Sequence, residues 1–205
     1  PAFNVEAKII GVIKKIPQSI MRNYYVRILI IEDFSKDNTR KTIEEYLKNE
    51  NKDNIISCIK NDKNHGYGGV QKIAFDYAVK NNFNFIIMLH GDGQYSPEKI
   101  PEFFTNLEKN KFDAVFGSRF IFPKDALKGG MPLYKFIGNR VLTFIQNLIM
   151  GSKMSEFHSG YRSYRVSMLK KINYQKNTNN FHFDTEIIYQ MLKLNYIIKE
   201  IAMPT

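Results

Sequence analysis

A histidine, a carboxylate and an amide stand at alternate positions in His90-Gly91-Asp92-Gly93-Gln94, followed by Tyr95-Ser96-Pro97-Glu98. Asp92 and Gln94 offer hard oxygen ligands to Mg2+ or Mn2+, with substrate phosphates completing the shell. An Asp-Gly turn with capping bonds is the structural alternative. A second polar stretch, Glu32-Asp33-Phe34-Ser35-Lys36-Asp37-Asn38-Thr39, holds three carboxylates. Ser35 and Asp37 suit helix capping. Glu32 and Asp33 stand too early to cap, and either can accept from a nucleobase N–H or a ribose hydroxyl. In a third stretch, residues 61–70, Gly66, Gly68 and Gly69 precede a helical pattern. Glycines there form a tight turn or let a phosphate approach the helix N-terminus. Gln71 stands where the third glycine of a dinucleotide fingerprint belongs, and the spacing is not that of a P-loop either.

Each stretch follows a strand pattern. Residues 26–31 (VRILII), 55–59, 85–89 (FIIML) and 113–117 are short apolar runs, as buried strands are. Helical spacing covers residues 39–49 and 68–80, and resumes after Pro97, a first-turn proline. Residues 132–150 form a long amphipathic helix closed by Gly151. Residues 183–194 give another helix and 196–201 a late strand. This alternation predicts an α/β fold, one domain with a mainly parallel sheet flanked by helices. Ligands bind such sheets beyond the carboxyl ends of the strands, where the three polar stretches lie. In the long helix, Leu133, Ile137, Val141, Phe144, Ile145, Leu148 and Ile149 share a stripe, with Lys135, Asn139, Thr143 and Gln146 opposite. The stripe either packs on the core or meets a membrane or lipid tail.

The 205 residues are 43% hydrophobic and 24% charged, which excludes a disordered or fibrous chain. The net charge of +10 points to an anionic partner: nucleic acid, a phosphorylated small molecule or a membrane surface. The single Cys58 excludes an intramolecular disulfide and a cysteine zinc cluster. No apolar run reaches the ~20 residues of a spanning helix. A basic nucleic-acid-binding module is the alternative from another class, but no signature of one is present.

The motifs together resemble the family 2 glycosyltransferases of GT-A fold, especially the dolichyl- and polyprenyl-phosphate sugar synthases. Pro1-Ala2-Phe3-Asn4 is similar to their opening Pro-Ala-Tyr-Asn, and residues 32–39 to Asp-Asp-Gly-Ser-Thr-Asp-Gly-Thr. Asn64-His65-Gly66-Tyr67-Gly68 matches Asn-x-Gly-x-Gly, and residues 89–98 resemble Leu-Asp-Ala-Asp-Gly-Gln-His-x-Pro-Glu. Gly117-Ser118-Arg119-Phe120, Ser159-Gly160-Tyr161-Arg162, Phe183-Asp184-x-Glu186 and Glu200-Ile201-x-Met203-Pro204-Thr205 follow in the family's order.

The resemblance implies transfer of a single sugar from a nucleotide-sugar donor, in cell-envelope glycan biosynthesis. The acceptor it favours is a membrane polyprenyl phosphate, with a hydroxyl of a glycan or glycolipid as the alternative. Pro1, Phe3, Asn4, Glu6, Glu32, Asp33, Asn64 and Gly68 would hold the donor. Asp92 and Gln94, with His90, would hold Mg2+ or Mn2+ on its diphosphate. Arg119 and Arg162 would face phosphate oxygens, and Glu156 would be the base for an alcohol acceptor. Residues 1–120 would form the donor half and 121–205 the acceptor half. The protein would work peripherally at the cytoplasmic face of an anionic membrane, without nucleic acid.

The departures are specific. His90 replaces the first Asp of Asp-x-Asp, Val5 replaces a Glu and leaves Glu6 as the nearest carboxylate, and Phe34 replaces a glycine. Trp is absent, and with it the Gln-x-x-Arg-Trp motif of processive synthases. Because the family's Pro-Ala-Tyr-Asn follows a central strand, a further strand is expected ahead of Pro1 and an extension after Thr205.

Overall fold

A computed structural model describes residues 1–50, 55–109 and 112–204. Thr205, the last residue of the closing motif, lies outside them. Two short helices, α1 (Ile9–Lys14) and α2 (Gln18–Asn23), precede β1 (Ile28–Glu32). Then come α3 (Thr39–Glu50), β2 (Ile56–Lys60), α4 (Gly66–Lys80), β3 (Phe85–Met88), α5 (Ile100–Lys109) and β4 (Ala114–Ser118). The second part holds α6 (Pro123–Lys128), α7 (Leu133–Met150), β5 (Arg162–Arg165), α8 (Val166–Leu169), α9 (Phe183–Lys193) and β6 (Ile198–Ala202).

The α/β expectation is met, with one change in the sheet. β1 pairs with β2 in parallel, and β4 with β6 in parallel. Between β3 and β4 runs β5, antiparallel to both, with Met88 opposite Arg162 and Phe116 opposite the same residue. The sequence hides this strand because two of its four residues are arginines. Arg162 is nonetheless 1% exposed, its guanidinium lying 4.6 Å from the Phe116 ring centroid. Tyr164 of the same strand packs edge-on against Phe75 and Phe116 in the main core, beside Phe183 and Ile187.

Pro1 and Ala2 join the two strand groups at the carboxyl ends of β1 and β3. Ala2 donates to the Ile31 carbonyl at 2.9 Å and accepts from the Asp33 N–H at 2.9 Å, while the Pro1 carbonyl accepts from Gly91 at 3.0 Å. Below them, an apolar groove of about 460 Å³ separates β1 from β3, lined by Ile28, Ile30, Ile86 and Met88. Neither facing edge pairs with another strand among the described residues.

Of the two expectations for α7, the core-packed stripe is not met. The buried residue of the helix is Thr143, and Asn139, Gln146, Asn147 and Met150 are half-buried. Asn147 donates to the Met154 carbonyl and accepts from Met154 N–H and Ser152 Oγ, which fixes the helix end where Gly151 closes it at φ 63°. Leu133, Ile137, Val141, Phe144, Ile145, Leu148 and Ile149 all face outward, so the stripe does not pack on the core. Among the described residues no helix is long and apolar enough to cross a membrane.

Candidate active site

A cavity of about 700 Å³ opens beyond the carboxyl ends of β1 and β3. This is the size class of small-molecule sites. One wall begins where β1 ends. The Asp33 carboxylate accepts from Asn61 Nδ2 at 2.7 Å, His65 N–H at 2.9 Å and Gly66 N–H at 3.0 Å. Asn64 closes the same turn, donating to the Asp33 carbonyl at 3.2 Å and accepting from Gly66 N–H at 3.0 Å. Gly66 sits at φ 76°, and an added Cβ would lie 2.7 Å from the Asn179 carbonyl oxygen, so a side chain fits neither the backbone nor the space.

The opposite wall follows β3. Asp92 accepts from the Gln94 N–H at 3.0 Å across an Asp-Gly turn in which Gly93 has φ 72°. The His90 ring is held edge-on between Tyr67 and Tyr95, at 5.6 and 5.3 Å. Its Nε2 is buried without a hydrogen-bond partner among the described residues. Burial pushes the imidazole down to about 4, so it is neutral at ordinary pH. Space for this ring comes from Gly160, where a Cβ would stand 2.6 Å from His90 Cε1 and 2.7 Å from the Tyr67 hydroxyl. Gly160→Ala should therefore cost ~1–3 kcal/mol by overpacking, read as a lower thermal midpoint. Adding His90→Ala should recover part of it, since the two residues share one space. Equal and independent losses would refute the shared packing.

Of the expected donor residues, Pro1, Phe3, Asp33 and Asn64 line the cavity, as do His90, Asp92 and Gln94. Glu32, Asn4, Glu6 and Gly68 do not. The buried Glu32 carboxylate accepts from Ser35 N–H at 2.6 Å and Arg40 Nε at 2.8 Å. Burial would raise its pKa, but these two donors outweigh it and hold the carboxyl below its usual range. Glu6 accepts from Asn38 N–H and Asn4 from Lys36 N–H, binding the opening segment to the loop after β1. Gly68 spends its N–H on the Asn179 carbonyl at 2.8 Å, and a Cβ would meet Thr178 O at 2.5 Å. It admits a neighbouring loop rather than a phosphate.

The two arginines and Glu156 also depart from expectation. Arg162 donates to the carbonyls of Ser159, Asp184 and Phe157 at 2.7, 2.9 and 2.6 Å. Its Nη2 stands 3.5 Å from the Asp184 carboxylate. Every nitrogen of its fork thus faces protein, and it is absent from the cavity lining. Glu156 accepts the Arg119 N–H at 2.8 Å through Oε2, and through Oε1 the Arg119 Nε at 3.0 Å and Nη2. That carboxylate is fully buried, both its oxygens are occupied, and neither partner lines the cavity. A base must reach its substrate; Glu156 in this arrangement holds Arg119 instead.

Tyr67, Tyr95, His158, Asn180, Phe181 and Asp184 also line the cavity. Asp184 accepts the Tyr67 hydroxyl at 2.7 Å and Gln71 Nε2 at 3.0 Å. Burial and this carboxylate raise the Tyr67 phenol, which stays protonated. The signal for Tyr67 and Asp184 lay inside two matched motifs, but nothing in either motif says that they meet.

The chain is 30% identical over its whole length to a UDP-N-acetylglucosamine–dolichyl-phosphate N-acetylglucosaminyltransferase of Methanococcus voltae, covering 83% of that protein. It is 20% identical to the polyprenol monophosphomannose synthase of Mycolicibacterium smegmatis, over 87% of this chain and 66% of that protein. Among solved structures, the glucosyl-3-phosphoglycerate synthase of Mycobacterium tuberculosis with UDP superposes with a TM-score of 0.71 at 12% identity, over 98% of this chain and 67% of that one. The family model for Glycosyl transferase family 2 matches residues 1–173, a span that runs from the opening segment past the turns after β1 and β3 and through Arg162, and ends ahead of Asn180, Phe181 and Asp184. By that match and the identity to its archaeal relative, the chain belongs to glycosyl transferase family 2 and is a glycosyltransferase of GT-A-like α/β fold.

Proposed function

We propose that the protein transfers one sugar from a nucleotide-sugar donor to a polyprenyl phosphate, working peripherally at the cytoplasmic face of a membrane. Residues 1–120 supply the donor side of the cavity. From residues 121–205, His158, Asn180, Phe181 and Asp184 supply the acceptor side. The relatives named for dolichyl phosphate and polyprenol acceptors support this reading.

The observation that carries the choice of acceptor is the engagement of the cavity's carboxylates. They are Asp33, Asp92 and Asp184. Asp33 accepts from three protein donors, and Asp184 from Tyr67 and Gln71 with Arg162 beside it. Asp92 belongs to the cation wall. An alcohol acceptor needs a base that neither Asp33, Asp184 nor the clamped Glu156 is placed to be. A lipid phosphate brings an oxygen that is already ionised. That oxygen attacks the anomeric carbon, the bond from carbon to diphosphate breaks, and the nucleoside diphosphate leaves with the electron pair.

A divalent cation fits the second wall. Among the described residues no cluster of three or more His, Cys, Asp or Glu side chains could hold an ion alone. Asp92 and Gln94 offer two oxygens on a wall that also holds His90, whose Nε2 has no partner among the described residues, a set that donor oxygens would complete. When bound, the ion stabilises charge on the departing diphosphate. The cavity residues bind and orient: the Asp33 turn fixes the wall facing the donor, and Tyr67 is anchored by Asp184.

The test is lipid-product formation from UDP- and GDP-sugars with polyprenyl phosphate in detergent, with Mn2+ or Mg2+. Metal-dependent product on the lipid phosphate supports the proposal; product on glycan hydroxyls alone overturns it. In the same assay His90→Asp should keep or raise turnover with Mg2+, because it supplies a hard ligand in place of nitrogen. Loss of turnover with Mg2+ would place His90 away from the ion.

A further inference from the structure

α7 carries nine large apolar side chains in the open. Leu148, Ile149, Tyr134 and Phe144 are 76, 75, 72 and 69% exposed, and Leu133, Ile137, Val141, Leu142 and Ile145 join them. Phe122, just ahead of α6, and Leu127 within it are exposed as well, and α6 packs on α7. Contiguous apolar surface of this kind marks a contact site. Spanning is excluded by length and polarity, because the helix has 18 residues and seats its polar side on the protein.

Charge selects the occupant. α7 has no acidic residue. At about 100° per residue, Lys135 and Arg140 fall on opposite borders of the outward stripe. Lys124, Lys128 and Lys153 flank the patch, and Asp125 is the sole acid from residue 121 to 153. A second copy docking on the same face would set these cations against one another. An apolar stripe bordered by cations instead suits the headgroup–acyl boundary of an anionic bilayer.

We infer that α7 docks the protein on an anionic bilayer, its outward stripe among the acyl chains and Lys135 and Arg140 at the phosphates. The position of the cavity agrees. Gln146 of α7 reaches Thr185 in the first turn of α9 at 3.3 Å. One turn earlier Phe181, 77% exposed, lies against the Tyr67 ring at 5.0 Å on the cavity wall. The exposed Phe181 ring therefore lies between the cavity and the α9 turn that α7 contacts. This deepens the lipid-phosphate reading and rests on it for the orientation of the cavity.

Co-sedimentation with vesicles of phosphatidylcholine, with and without phosphatidylglycerol, tests the docking. Binding of the parent should rise with phosphatidylglycerol and fall with salt. The pair Phe144→Glu and Leu148→Glu should weaken partitioning at least ~10-fold on both vesicles, since each loses a buried apolar side chain. Lys135→Glu with Arg140→Glu should remove only the phosphatidylglycerol-dependent part. These side chains are exposed, so thermal unfolding and nucleotide binding should match the parent. Vesicle binding by the apolar variant equal to the parent's, or none by the parent at low salt, overturns the docking surface. Self-association by light scattering without vesicle binding does the same, in favour of a second copy. Transfer to polyprenyl phosphate in detergent is read separately on the parent and every variant. Failure there by the parent sinks the acceptor reading and leaves the vesicle result to stand on its own.

Discussion

Asp92→Ala should abolish metal-dependent donor turnover. Asp92 is the one carboxylate on the wall that follows β3, and its partners there are an amide and a neutral imidazole. Replacing a supporting residue around a metal costs ~10–100-fold in affinity or activity. Loss of that wall's one carboxylate should cost at least ~10²-fold. The measurement is initial rate of donor hydrolysis against Mn2+ concentration, with Mn2+ binding in the presence of nucleoside diphosphate as a second readout. The fold should be unaffected, because among the described residues the carboxylate's hydrogen bond is the one within its own turn, from Gln94 N–H. A variant that binds Mn2+ and turns over donor like the parent would remove Asp92 from the cation site.

Arg162→Ala should fail in a different way, by losing the fold. Its guanidinium is 1% exposed and satisfies three carbonyls while facing Asp184. The Asp184 charge outweighs the effect of burial and raises the arginine's pKa, so the group is charged. Removing one partner of a buried pair costs ~3–5 kcal/mol, since the other is left uncompensated. Against a total of ~5–15 kcal/mol, that is a large share. Chemical denaturation should show a midpoint far below the parent's, and Arg162→Lys should not rescue it, because one ammonium cannot span the directions of the fork. An unchanged midpoint with turnover reduced would instead restore a phosphate-facing role.

These two residues mark the limit of what the motifs could say. The place of Asp92 on the cavity wall was legible because it depends on neighbours in the chain: an Asp-Gly turn following a strand displays its carboxylate wherever that strand ends at a cavity. Arg162 belonged to an equally good motif, but its direction depends on β5 lying between β3 and β4. Two charged residues in Arg162-Ser163-Tyr164-Arg165 masked that strand. Glu156 is parallel. Its position before Ser-Gly-Tyr-Arg suggested a base, and the loop folds its carboxylate onto Arg119, 37 positions away. Glu32 and Asp33 were alternatives in sequence, and strand parity separates them. Glu32 turns inward to Ser35 and Arg40, while Asp33 lines the cavity.

The sequence by itself determined the α/β alternation, the polar turns beyond the strands, the gathering of His90, Asp92 and Gln94 on one turn and the existence of an amphipathic stripe in residues 132–150. All of these follow from periodicity and turn chemistry within a few residues. Tertiary structure decided what each face meets. It brought Tyr67 to Asp184 across 117 positions, left Arg162, Glu156 and Glu32 off the cavity lining, and fitted the His90 ring against Gly160. It also turned the apolar stripe of α7 outward. Helical periodicity specifies that two faces differ, but the face that is buried depends on the surfaces other elements offer, and here they offered partners for Thr143, Gln146 and Asn147.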